Sequence, residues 1–546
     1  MAGFAGFLPM QRHVAPPRTE EAERMAAALG PNARTLVEPG IAVATDGVLH
    51  RIEEPGRGWV VAVGPSLPEA AALLERERPE EYLTGWAGPF AVAAWDARNR
   101  RLLMARDRYG LEPLYLTTAG GRFGFATRVE ALQAGLGQGG SADAVGLDQL
   151  FTLGAPVPPR TVFSGIEQLP PGQWMVVDVT GARSAPFAAP LLAPGREGAG
   201  EAAGALEGAL AGVEGVAALD GWLGAPLERA AARRGLPRLL PPDGGERGDL
   251  EWAVGILGRP VVDPAPLQEA ALARGMAGRE ESRVALAAGG RAVRGEAAFF
   301  RELALRRGWA RQPESRLRAA TLGRLAPEGP GSRPCRAGPD CYRALYGAGL
   351  EAPAEAAFAC RPRWLERSRI RTLLAEGHRE ALMQPPEEEL LAALPADFAS
   401  WSGHRRARHL ALLQELGSSP GALLRARGVE VRYPWLDPAV VSAMEEPESA
   451  MLRRSARCRR PAPITDPSRF LSGGQEELAD LLAPASLAIS SLFEPERVGR
   501  LRQRLLAGYR LAPVEYSALL AVLSTEVWAR RYLAGVQPWT RVGVTA

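Results

Sequence analysis

The sequence predicts two domains of different class: an α+β domain built on an antiparallel β-sandwich over residues 1–190, and an α/β domain with a parallel sheet and a helical C-terminal part over residues 205–546. Three observations carry this. Short β-rich runs separated by turn residues fill residues 40–127. A stretch rich in Ala, Pro and Gly without periodicity covers 182–204, of which 191–204 reads as linker. Strand and helix patterns then alternate.

Taken in order, the first domain offers the runs WVVAV (59–63), FAVAAWD (90–96), RLLMARD (101–107), PLYL (113–116) and FGFAT (123–127), punctuated by Gly, Pro and Asp-Arg turns. Few helices are expected beside them. After the linker, EAAGALEGALAGVEG reads as a helix, GVAALDG as a short buried strand with a turn, and APLERAAARRG as the next helix. The rhythm returns at SRVALAAGG, so GVAAL and SRVALAA are expected to be neighbouring parallel strands. Residues 376–415 and 496–534 carry apolar residues at helical spacing. No internal repeat is evident.

Composition narrows the function classes. The chain has 546 residues, 46% hydrophobic, and a formal net charge of +3, with basic and acidic residues interspersed; a dedicated nucleic-acid surface is not expected. All 65 lysine-plus-arginine positions are arginine. A coding bias accounts for that composition, but an enzyme that needs a compact ammonium against phosphate has none here. Cys335, Cys341, Cys360 and Cys458 lack metal-ligand spacing with one another or with the five histidines, so no metal site is expected. No cationic start precedes the short apolar opening MAGFAGFL, and no apolar run approaches 18 residues. Neither a signal peptide nor a membrane span is therefore expected, and the protein is placed in the cytoplasm.

Three segments, in order, resemble the glutamine-hydrolysing asparagine synthetase family: GPFAVAAWDARNRRLLMARDRYGLEPLYL (88–116), TVFSGIEQLPPGQWMVVD (161–178) and GVEVRYPWLDPAVV (428–441). The resemblance implies an N-terminal-nucleophile class II glutaminase fold followed by an ATP-pyrophosphatase (PP-loop) synthetase domain. Within these segments Arg106, Asp107 and Gly110 read as a charged turn between strands in preference to a site. Glu430, Arg432 and Asp437 read as a buried ion network beside the sheet in preference to catalytic groups.

The chemistry that the resemblance implies is missing at the matching positions. The family's nucleophilic cysteine falls at Ala2, within an opening that keeps Gly3, Ala5, Gly6 and Phe7. Its Asn-Gly-Glu strand end falls at Val63, Gly64 and Pro65. Its pyrophosphate-binding serine-rich loop falls at Asp220, Gly221, Trp222 and Leu223, where a carboxylate and an indole replace hydroxyls and close backbone. Its acidic magnesium-linked motif falls after Gly289 and Gly290, with no acidic pair. Arg459 and Arg460 stand where the family has lysines.

The expected function is accordingly that of a pseudoenzyme that acts by binding a protein partner, an active homologue or a biosynthetic enzyme, with no cofactor required. The alternative is an ATP-dependent amide-bond-forming ligase of altered specificity, of asparagine synthase, β-lactam synthetase or lasso-peptide cyclase type, which would use ATP and magnesium. Apolar helices in the last third could form a homodimer surface, although such a stripe is more often core.

Overall fold

The computed structural model describes residues 2–10, 14–52, 57–64, 70, 72–74, 78–86, 88–187, 201–217, 225–240, 247–277, 283–288, 415–443, 480–509, 511 and 513–533, with isolated residues between 308 and 412. Two compact units divide the chain. The first holds Met1–Asp143, Pro158–Ala193 and Tyr532–Gly535; the second holds Ala144–Val157, Pro194–Arg531 and Val536–Ala546.

The first unit is a sandwich of two six-stranded antiparallel sheets. One runs β10 (Ile166–Gln168), β8 (Tyr115–Ala119), β9 (Arg122–Ala126), β1 (Phe4–Pro9), β3 (Ile41–Thr45), β2 (Arg34–Glu38). The other runs β12 (Gly181–Pro186), β11 (Gln173–Asp178), β7 (Arg101–Arg106), β6 (Ala91–Asp96), β5 (Gly58–Val63), β4 (Val48–Arg51). Phe4, Leu8, Val43 and Phe125 from the first sheet share one core with Trp59, Val61, Ala93, Trp95 and Met104 from the second.

The near-continuous apolar runs of β5 and β6 have a physical reason. Alternate side chains point to opposite faces, and both faces are covered. Trp59, Val61, Ala93 and Trp95 enter the inter-sheet core, while Val60, Ala62, Val92 and Ala94 meet a second cluster with Leu73, Leu74, Leu83 and Phe90. The five strand runs read from the sequence are all present as β5 to β9. The helices Thr19–Leu29 and Val129–Leu136 were not anticipated. The first buries Ala22, Met25 and Leu29 at helical spacing, and Arg24 donates to the carbonyls of Ala134 and Gly135 at the end of the second, 2.9 and 3.1 Å away.

The second unit contains a four-stranded parallel sheet in the order β14 (Arg238–Leu239), β13 (Gly215–Ala217), β15 (Arg283–Leu286), β16 (Glu430–Arg432). β13 and β15 pair in parallel, Val216 opposite Ala285, as expected for GVAAL and SRVALAA. Helix Glu201–Ala209 bears out the helix read in EAAGALEGALAGVEG and takes residues 201–204 from the stretch read as linker; the alanines and leucine outweigh the two glycines. Helices Pro495–Leu506 and Pro513–Tyr532 fill the helical region expected at 496–534. Most of the expected helical region 376–415 lies outside the described residues.

Candidate active site

The start of β1 is where the family resemblance would place a nucleophile. Gly3 N donates to Asp46 Oδ1 at 2.6 Å, and the Gly3 carbonyl accepts from Thr45 Oγ1, Asp46 N and Gly47 N at 2.9, 3.1 and 3.3 Å. Phe4 N donates to Thr127 Oγ1 at 3.0 Å, and Thr127 N returns a bond to the Phe4 carbonyl at 2.9 Å. Gly3 is needed here, since a Cβ would stand 2.8 Å from Thr127 Oγ1. The next position out, Ala2, is exposed and presents a methyl group. From Ala2 to Pro9 no side chain carries a thiol or hydroxyl.

Thr45, Asp46 and Thr127 were missed by sequence reasoning. The signal available was the Asp46-Gly47 pair between two apolar runs, which resembles a two-residue hairpin turn. The chain instead uses it as a corner: β3 lies in one sheet and β4 in the other. A Cβ on Gly47 would lie 3.0 Å from the Ala62 carbonyl and 3.6 Å from that of Gly3, so the corner sits between the start of β1 and the end of β5. There Val63 is buried and Gly64 takes φ 102°, with a hypothetical Cβ 2.0 Å from the Pro89 carbonyl. Close backbone approach therefore requires glycine at 64. Pro65 lies outside the described residues.

Arg106 and Asp107 lie buried at the turn after β7. Asp107 accepts from the amides of Tyr109, Glu112 and Leu111 at 2.9, 2.9 and 3.1 Å, and from Phe90 N at 3.4 Å. Arg106 donates to the carbonyls of Glu112, Gly110 and Leu169 at 2.7, 2.7 and 2.8 Å and to Gln168 Oε1 at 3.0 Å. Burial lowers the Arg106 guanidinium from its ordinary value, against the pull of Asp107. Burial likewise raises the Asp107 carboxyl, against the amide of Glu112 and the charge of Arg106. Of these bonds only the one to Gln168 Oε1 ends on a side chain, so the pair shapes the loop 107–112 and fastens it to 168–169.

In the second unit, the sequence candidates Asp220, Gly221, Leu223, Gly289 and Gly290 lie outside the described residues. The strands that lead to them end side by side, with Ala287 N donating to the Ala217 carbonyl at 2.9 Å. The expectation for Glu430, Arg432 and Asp437 is corrected: Glu430 and Arg432 are ion-paired, but the pairs are not buried. Glu430 pairs with Arg283 at 2.9 Å and with Arg432 at 2.7 Å, with side chains 44–51% exposed. β16 is an edge strand that turns Val431 inward and its charged neighbours out. Asp437 accepts from Ala439 N at 2.9 Å.

A buried carboxylate that the sequence did not flag is Glu269, 2% exposed on helix Ala265–Gly275. It accepts from the amides of Leu423, Gly421 and Leu424 at 2.7, 3.0 and 3.1 Å, capping helix Ala422–Ala426 from outside. Burial raises its carboxyl above the ordinary range, against these amides and Arg425. A lone acid in a helix gives no sequence signal for such a role. Among the described residues, no cluster of three or more His, Cys, Asp or Glu could hold a metal ion, and no helix is long and apolar enough to cross a membrane.

Residues 71–188, which include β6 to β12, match the glutamine amidotransferase domain family. The chain is 34% identical over 106 residues to asparagine synthetase [glutamine-hydrolyzing] 3 of Bacillus subtilis, covering 19% of this chain and 17% of that protein. It is 30% identical over 114 residues to amidase chyE of Penicillium rubens, covering 21% and 16%. The match thus spans about a sixth of the length of these curated relatives. Among solved structures, glutamine phosphoribosylpyrophosphate amidotransferase from B. subtilis is similar at 13% identity and TM-score 0.23, over 52% of this chain and 81% of that one. An allosteric regulatory enzyme of purine biosynthesis matches at 12% identity and TM-score 0.23, over 43% and 64%. Residues 71–188 are therefore similar to glutamine amidotransferase domains.

Proposed function

We propose that the first unit retains an amidotransferase scaffold without glutamine hydrolysis, and that the protein acts by binding, as a pseudoenzyme of the asparagine-synthetase type. One observation carries the reading: the start of β1 is fastened by Thr45, Asp46 and Thr127, yet the position it presents is Ala2. A methyl group cannot attack an amide carbon, and the hydroxyls nearby bond to backbone. The partner is a protein, an active homologue or a biosynthetic enzyme, and neither ATP nor magnesium is required. On this reading the second unit is a PP-loop-type synthetase domain whose loops at Asp220–Leu223 and Gly289–Gly290 no longer hold pyrophosphate.

A second reading, an ATP-dependent amide ligase, is supported by one feature, the adjacent ends of β13 and β15. Ligands of open parallel sheets bind outside such carboxyl ends. The two readings part in one assay on the full chain, measuring glutamate released from glutamine and pyrophosphate exchange into ATP with magnesium and aspartate. Neither signal should exceed a heat-killed control. Glutamate release would refute the silent glutaminase, and exchange would favour the ligase.

A further inference from the structure

Tyr532 and Leu533 belong to the first unit although they lie far along the chain from its sheets. Tyr532 is 1% exposed. Its hydroxyl donates to Glu130 Oε1 at 2.8 Å, and its carbonyl accepts from Gly140 N at 2.9 Å and from Gln133 Nε2 at 3.3 Å. Its ring meets Phe163 edge-on, centroids 5.5 Å apart at 73°. Leu533 adds a parallel bridge to Gly140. The socket is shaped for this: a Cβ on Gly140 would stand 2.5 Å from Gln133 Nε2 and 3.1 Å from the Phe163 ring.

Glu130 links the socket to the candidate site. It also pairs with Arg128 at 3.4 Å, and Arg128 Nη1 donates to the Leu29 carbonyl at 2.8 Å. The Arg128 Cδ lies 3.6 Å from where a Cβ on Gly3 would be. We propose that residues 532–533 are a clasp on the first unit, which holds residues 129–140 and, through Glu130, steadies Arg128 against the start of β1. Ring, hydroxyl and carbonyl of one residue are all engaged, which is the pattern of specific recognition and not of incidental burial. The clasp does not depend on whether the first unit hydrolyses glutamine.

The test uses the whole protein, a chain ended after Arg531, and the variants Tyr532→Phe and Tyr509→Phe. Hydrogen exchange is read at the Gly140 amide and across residues 128–133. Ending the chain at Arg531 should speed Gly140 exchange about tenfold or more, since the opening of that segment would no longer be opposed. Tyr532→Phe keeps the ring and the carbonyl, so it should speed exchange at 128–133 while sparing Gly140. Tyr509→Phe, at an exposed tyrosine, should change neither. The clasp is refuted if Gly140 exchanges at the intact rate in the shortened chain. Should that chain fail to fold, the Tyr532→Phe profile decides, and a profile equal to that of the intact protein overturns the proposal.

Discussion

At the turn after β7, a buried arginine and aspartate bind the backbone of residues 107–112 and 168–169. At the start of β1, an aspartate and two threonines fasten Gly3 and Phe4, while Ala2 carries nothing reactive. The two regions serve the same sandwich by the same means, side chains bonded to main chain. They differ in what remains beyond the fastening. The first turns all of its named bonds but one to main chain. The second keeps its shape, and on the proposed reading the position it presents, Ala2, has no group with which to run the chemistry. Backbone satisfaction holds residues in place whether or not a reaction is run.

The largest expected effect tests the first half of that contrast. Arg106→Ala leaves the carbonyls of Gly110, Glu112 and Leu169 without their donor and Asp107 without its counter-charge, and should cost about 3–5 kcal/mol in denaturant unfolding. Arg106→Lys should recover little, because one ammonium cannot span acceptors that the planar fork reaches together. A loss below about 1 kcal/mol would mean that the turn is not the fastening it appears from its bonds.

Thr127→Val is the counterpart at β1. It removes the hydroxyl that serves Phe4 N and should cost about 1–2 kcal/mol, leaving the sandwich folded. A cost equal to that of Arg106→Ala would erase the distinction between the two regions.

A smaller effect lies in the pH profile. Because burial raises the Asp107 carboxyl, the native protein takes up that proton at higher pH than the unfolded chain. Asp107 therefore favours folding as pH falls through the window between its raised and ordinary values, and its contribution is lost as pH rises through the raised value. Asp107→Asn deletes this dependence, so its stability should fall more steeply on acidification than that of the intact protein, by at most about 1.4 kcal/mol per pH unit. Parallel profiles would show that Arg106 and the amides outweigh burial.

The smallest effect is expected from Ala2→Cys, studied after removal of Met1. Stability should stay within about 0.5 kcal/mol, as for an exposed substitution, and no glutamate should be released from glutamine, because the end of β5 at Val63 and Gly64 lacks amide-holding side chains. Release from this single change would show that orientation had survived and that the site was silenced by one residue.

Much of this was legible in the sequence, for physical reasons. Short apolar runs bounded by Gly, Pro and Asp-Arg turns exposed β5 to β9, and the β-then-α rhythm exposed the pairing of β13 with β15. The burial of Arg106 and Asp107 was not legible, because their partners are main-chain atoms that any sequence supplies. The exposure of Glu430 and Arg432 was not legible either, since an edge strand and a central strand share the same alternation. Thr45, Asp46, Thr127 and Glu269 act across 42 or more residues of chain, beyond the reach of local pattern.

The clasp residues carry a consequence for biosynthesis. All twelve strands of the sandwich have been translated once Pro186 is made, but Tyr532 follows roughly 350 residues later; at about 5–20 residues per second the delay is roughly 20–70 s. Throughout that interval the Gly140 amide, the Gln133 side chain and the face of Phe163 await their partner on a nascent chain. The sandwich is thus made well before the residue that finishes it.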